Sequence, residues 1–153
     1  MAEINDKPAG AVAAWIEGKD GLSSGIRKLS ALSFVLSRRT IELSKSNLAT
    51  VSEVSIQREK GTLQIESVFT DSPYRGQGIA GNLINKHITE FRKSNPLLEK
   101  AQIQLMNENV AAIKAYQKIG FEIAEKKTSN NPDITNLLPG KTKLMLQKII
   151  IDR

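Results

Sequence analysis

Residues 71–81, DSPYRGQGIAG, concentrate the features that hold phosphate without a metal. Gly76, Gly78, Ala80 and Gly81 let a ligand come close to the backbone, and a turn that opens a helix leaves amide N–H groups without partners. Those donors, the positive end of the helix dipole and the guanidinium of Arg75 suit a pyrophosphate. Proton chemistry has fewer sources. The chain has no cysteine and one histidine, so thiolate nucleophiles, disulfides and cysteine- or histidine-built metal sites are excluded, and no metal is expected. What remains is carboxylate, hydroxyl, amide and backbone. Asn109, Ala112, Ile113 and Tyr116 recur at i, i+3, i+4 and i+7, so one helical face carries both an amide and a phenol. In 62–70, strand alternation places Gln64, Glu66, Val68 and Thr70 on one face, against Leu63, Ile65 and Phe69 on the other. Glu66 then points away from the more apolar side.

Plainer readings exist for each group. Gly76, Gly78 and Gly81 spell GxGxxG, but a dinucleotide turn follows its strand directly and an acidic residue ends the next strand; here loop residues intervene and Glu99 precedes that strand. No Gly-Lys-Ser/Thr follows, so the loop is not a Walker A motif. Asn109 and Gly120 also fit helix punctuation, with Tyr116 a packed aromatic and Glu66 a strand carboxylate facing water. His87 falls near an apolar helical stripe, where a partly buried core role suits it better than catalysis.

The elements that position these groups follow from periodicity. Residues 3–6 and 10–17 read as a hairpin around Asn5-Asp6-Lys7-Pro8, and 18–24 as a loop. Ile26, Leu29, Leu32, Leu36, Ile41, Leu43 and Leu48 have helical spacing, predicting one or two helices over 26–48. Residues 54–58 and 62–70 flank Glu59-Lys60-Gly61 as paired antiparallel strands. A helix over 78–92 carries Ile79, Leu83, Ile84, Ile88 and Phe91 on one stripe and stops before Pro96. Then come a strand at 101–105, a helix at 109–119 closed by Gly120, a strand at 121–126, a turn-rich stretch at 128–140 and a last strand at 141–151.

Two motifs in order carry a resemblance. Arg75, Gly78 and Ala80 match Q/R-x-x-G-x-G/A, the acyl-CoA signature of the GNAT superfamily, and NENVAAIKAYQKIGF (107–121) resembles that superfamily's run from asparagine through an alanine-rich helix and tyrosine to Gly-Phe. With IESVFT ahead of the loop, the resemblance covers 61–126 in detail and the last strand in outline. It implies an α/β (α+β) fold, a mixed, mostly antiparallel sheet flanked by helices, in a single N-acetyltransferase domain over 1–153 with its cofactor-binding core at 61–126. Such domains usually open with a strand and one or two helices ahead of the hairpin seen here at 3–17. Those elements are therefore read as missing or shortened, with 26–48 standing in for them or a partner subunit contributing.

The resemblance also implies site roles. Acetyl-CoA is the co-substrate, its pantetheine arm held by the main chain of Val68, Phe69 and Thr70, its phosphates by Arg75, Gly76, Gln77, Gly78, Ile79, Ala80 and Gly81, and its arm touched by Asn109. Tyr116 protonates the departing thiolate, which suits a thiolate of pKa about 8.5 beside a phenol of about 10. Glu66, nine positions before Arg75, resembles a glutamate of polyamine acetyltransferases that steers or deprotonates the amine. Ribosomal-protein acetyltransferases instead carry a glutamate five before the asparagine, where this chain has Gln104, which cannot act as a base.

The expected activity is acetyl transfer to a primary amine, of a small molecule or a peptide, by direct attack. A non-catalytic acyl-CoA-binding module or a truncated, inactive relic is the alternative. The formal charge of +6 is scattered and aromatics are 5%, which gives nucleic-acid binding no motif. No run approaches the roughly 18 apolar residues of a membrane span, and MAEINDKPAG is polar, so the expectation is a cytoplasmic protein without membrane contact. A homodimer paired through 141–151 as an edge strand is a further expectation.

Overall fold

A computed structural model describes residues 1–151. Its centre is a six-stranded sheet in the order β1-β2-β3-β4-β6-β5, in which β3 and β4 are parallel and every other pair is antiparallel. β1 (Ala2–Ile4) and β2 (Lys7–Ile16) form the hairpin. Asn5 and Asp6 supply its two-residue turn at φ 51° and 60°, a left-handed pair that asparagine and aspartate tolerate.

Three helices follow rather than one or two: α1 (Ser24–Val35), α2 (Arg38–Leu43) and α3 (Lys45–Ser52). Serines divide them. Ser23 Oγ accepts from Ile26 N at the start of α1, Ser37 Oγ accepts from Thr40 N to open α2 within what hydrophobic spacing alone reads as continuous, and Ser44 stands between α2 and α3. β3 (Leu63–Thr70), a short 3-10 turn (Ser72–Tyr74), α4 (Ile79–Ser94), β4 (Lys100–Met106), α5 (Val110–Lys118), β5 (Glu122–Thr128), α6 (Ile134–Leu137) and β6 (Thr142–Ile149) complete the order. Among the described residues no helix is long and apolar enough to cross a membrane.

The core lies between one face of the sheet and α4 and α5. Leu63, Ile65, Ala101, Ile103, Leu144 and Leu146 meet Ile84, Ile88, Tyr116 and Phe121 there. The opposite face is a polar layer. Gln64 Nε2 donates to Thr62 Oγ1 (2.6 Å) and to Gln102 Oε1 (2.8 Å), and Gln102 Nε2 donates to Gln147 Oε1 (3.1 Å). Gln64 and Gln102 are almost fully buried, and this mutual pairing offsets the cost of enclosing them.

Three expectations are corrected here. Residues 54–58 form no strand: where a hairpin would pair them, at 63–65, both edges of β3 are taken, by β2 and by β4. The segment instead crosses the polar face, burying Val54 and Ile56 while Gln104 Nε2 donates to Ile56 O, so its alternation reflects packing and not a ladder. β6 is interior, held by β4 and β5, so 141–151 offers no edge for a dimer. Lastly, Ser67 at φ 52° forms a bulge where Ala11 pairs with Phe69 but Ala13 with Glu66. The extra residue turns Val68 onto the core face with Leu63 and Ile65, and leaves Phe69 about half exposed.

Candidate active site

The parallel β3–β4 ladder is short. It pairs Leu63 with Ala101, Gln64 with Gln102 and Ile65 with Ile103, then stops, although β3 runs on to Thr70 beside β2 and β4 to Met106 beside β6. Past Ile65 and Ile103 the two strands part, so the β4-facing edge of 66–70 has backbone groups free of a ladder. The carboxyl ends of parallel strands are where open α/β sheets take ligands. Here the helices that follow, α4 after β3 and α5 after β4, both start at that end.

The glycine loop lies above the opening. Asp71 N donates to Ala9 O (2.9 Å) and Asp71 Oδ1 accepts from Ser72 N (2.8 Å), fixing the turn after β3. Arg75 Nε donates to Thr70 O (3.3 Å), and Gln77 Nε2 donates to Pro73 O (3.3 Å). Gly76 and Gly78 sit at φ 79° and 78°, and a Cβ on either would point into open space. The first bond of α4 runs from Asn82 N to Gly78 O; the amides of Ile79, Ala80 and Gly81 precede it and form no backbone bond among the described residues. Gly81 differs from its neighbours. A Cβ there would lie 3.1 Å from Ile119 Cγ2, so this glycine lets α4 approach the end of α5. Ile79 packs likewise against Gly10.

On α5, Asn109 is the N-cap, its Oδ1 accepting from Ala112 N (3.2 Å), and the side chain is exposed at the helix start. Gly120, at φ 89°, ends the helix, with Phe121 N donating to Tyr116 O (3.1 Å). Tyr116 is 7% exposed, its ring centroid 6.4 Å from that of Phe121. Burial pushes its phenol above the ordinary value, so it stays protonated at neutral pH, and among the described residues nothing hydrogen-bonds its hydroxyl. His87 is half-buried on α4.

Glu66 is the first residue of β3 past the last ladder pair, and it does not face open water. Oε1 accepts from Arg58 Nη2 (2.6 Å) and Oε2 from Lys28 Nζ (2.5 Å). Both cations also lie over the Trp15 ring, Lys28 Nζ at 5.5 Å and Arg58 Cζ at 5.4 Å from its centroid. Trp15 Nε1 donates to Glu17 Oε2 (3.1 Å), and Glu17 Oε1 accepts from Ser24 N (2.8 Å). Burial alone would raise the Glu17 pKa; the Ser24 and Trp15 hydrogen bonds and the charge of Arg58 reverse that and lower it. Lys143 of β6 joins the same charge cluster. Burial lowers its pKa, Arg58 and Lys28 add to that, and Glu66 opposes them.

Sequence reasoning found Glu66 but missed Trp15, Lys28, Arg58 and Lys143. They come from four separate segments, and no spacing rule links them. Among the described residues no group of three His, Asp or Glu is gathered as a metal site.

Residues 1–121 match the acetyltransferase (GNAT) family, and the chain belongs to that family. It is similar to the Bacillus subtilis (strain 168) protein named uncharacterized N-acetyltransferase YobR, 35% identical over 77 residues, which are 50% of this chain and 30% of that protein. A solved N-acetyltransferase from Staphylococcus aureus Mu50 superposes with a TM-score of 0.57 at 23% identity, over 95% of this chain and 67% of that one. Arabidopsis thaliana NAA60 in complex with acetyl-CoA gives 0.56 at 17%, again over 95% and 67%. These structures share the fold. The chain therefore spans under a third of the Bacillus relative and about two thirds of the two structures.

Proposed function

We propose that this protein transfers the acetyl group of acetyl-CoA to a primary amine by direct attack, within one domain whose cofactor-binding core is 61–126. The observation that carries this reading is the split between β3 and β4 beneath open glycine amides, with Tyr116 on the helix that follows β4. Bound acetyl-CoA supplies an activated acyl carbonyl. The amides of 78–81 and the Arg75 guanidinium suit its pyrophosphate, and the absence of any atom near a Cβ at Gly76 or Gly78 leaves room for it. The β4-facing edge of Val68, Phe69 and Thr70, which lies outside the β3–β4 ladder, suits an amide-bearing arm laid in as an extra strand would be.

Glu66 takes the proton of the acceptor ammonium, which at a pKa of about 10.4 cannot attack while charged. Tyr116, a phenol protonated at neutral pH whose pKa burial raises further, gives its proton to the departing sulfur. Asn109 keeps its amide N–H groups for the ligand while its oxygen caps α5. The acceptor is a small-molecule or peptide amine.

Release of CoA with a panel of amines tests the chemistry. Tyr116→Phe should lower kcat by about 10²-fold or more while acetyl-CoA binds as before. Equal turnover by this variant would remove Tyr116 from the mechanism. Binding with no turnover of any amine would identify an acyl-CoA-binding module instead.

A further inference from the structure

We propose that Lys28 is itself an acceptor, acetylated in cis by the protein that carries it. The inference rests on the acetyltransferase reading and starts from the way Glu66 divides its two oxygens. Arg58 holds Oε1 and is itself a fixed part of the frame: Nη1 donates to Ser24 Oγ (2.8 Å), Nη2 to Glu66, and its plane lies over Trp15. Its side chain is 20% exposed. Oε2 is left for a second cation, bounded by the Trp15 face. A carboxylate oxygen beside an indole face is a seat for an ammonium.

The ammonium that occupies the seat is Lys28 Nζ, 2.5 Å from Oε2 and 5.5 Å from the Trp15 centroid. Its side chain is half exposed, so it is held by these two groups and not by enclosure. The backbone delivers it there. Ser24 N is bonded to buried Glu17, and Ser23 caps the helix, so the first turns of α1 are anchored at the site, whereas no α1 residue other than Ser24 is buried. Glu66 stands where the β3–β4 split begins. An amine on its Oε2 is therefore at the mouth of the slot assigned to the thioester.

The step balances without a further reagent. Lys28 loses one proton to Glu66; the Nζ lone pair attacks the thioester carbonyl carbon, a C–N bond forms and the C–S bond breaks. The sulfur leaves as thiolate and takes a proton from Tyr116, and the nitrogen, which still carries two protons after attack, gives one to the Tyr116 phenolate as the amide forms. The products are Nζ-acetyl-lysine, CoA thiol and one proton released to water once Glu66 and Tyr116 return to their starting states. An acetylated Lys28 carries no charge, so it vacates Glu66 Oε2 and the Trp15 face and leaves the seat to an external ammonium.

The test is site-resolved mass spectrometry of the native protein incubated with acetyl-CoA at several protein concentrations, with acetyl-CoA binding and CoA release by free amines measured alongside. We expect Lys28 to be modified at least about tenfold faster than any other lysine, including Lys143 in the same cluster, because its amine is pre-positioned. The rate per molecule should not change with protein concentration, and it should fall in Glu66→Gln. Acetylation spread over exposed lysines, or at Lys28 with a rate that rises with protein concentration, overturns the inference. If free amines turn over while Lys28 stays unmodified, the inference fails and the acetyltransferase reading stands. If acetyl-CoA does not bind at all, both fail.

Discussion

Tyr116 and Glu66 illustrate how differently one residue's surroundings can be read from sequence. The position of Tyr116 was legible, because helical periodicity fixes which face it shares with Asn109; its burial against Phe121 follows from the Gly120 turn that folds the next strand back. Glu66 was legible as a carboxylate on the non-core face of β3, but its partners were not, since Lys28 and Arg58 lie 38 and 8 positions away on segments with no motif. Glu17 was not singled out at all. Its lowered pKa makes it a stability group: the unfolded carboxyl binds protons at a higher pH than the folded one, so its contribution is present above about pH 4.5 and is lost as pH falls through the folded value. Glu17→Gln should flatten the acid side of the unfolding-midpoint profile, measured against wild type as pH falls below about 4.5.

Elements that a single face defines were readable, and those set by competition for partners were not. α4 and α5 follow their apolar spacing to within a residue or two at each end. Residues 54–58 look like a strand in isolation, but a hairpin partner would need a free edge at the start of β3, and over 63–65 both edges are taken. The bulge at Ser67 was invisible because alternation rules assume an unbroken pleat. The glycines of the loop also separate by element. Gly81 is a packing position, so Gly81→Val should cost about 1–3 kcal/mol of stability through crowding of Ile119, read as a lower denaturation midpoint. The helices between β2 and β3 rest lightly on the sheet: Phe34, Val35 and Leu43 are 90%, 81% and 71% exposed, and none of α2 or α3 is buried. Amide exchange over 24–52 should therefore be faster than over α4, β3 and β4 by mass spectrometry, and equal protection would contradict this packing.

At the scale of the whole molecule, the proposed function rests on one feature of topology. A single parallel pair is set into an otherwise antiparallel sheet, and the two strands part after three residue pairs. The groups proposed to act collect at that end: a glycine turn from one strand, a tyrosine-bearing helix from the other, and the Glu66 cluster where they separate. The sheet's edges are β1 and β5, and β5 carries Glu122, Glu125, Lys126 and Lys127 along an exposed strand, which guards that edge against pairing with another chain. The charge of +6 suits the anionic cofactor proposed at Arg75. Calorimetric titration of acetyl-CoA into wild type, Gly78→Trp and Gly61→Trp decides whether this end of the sheet is the cofactor site. Gly61 shares the positive φ and the open surroundings of Gly78 but lies at the opposite end of β3, so it controls for backbone strain. Binding in the range of about 1 μM to 1 mM, kept by Gly61→Trp and lost by Gly78→Trp, is the expected result. No binding to wild type, or equal binding by a folded Gly78→Trp variant, would contradict it.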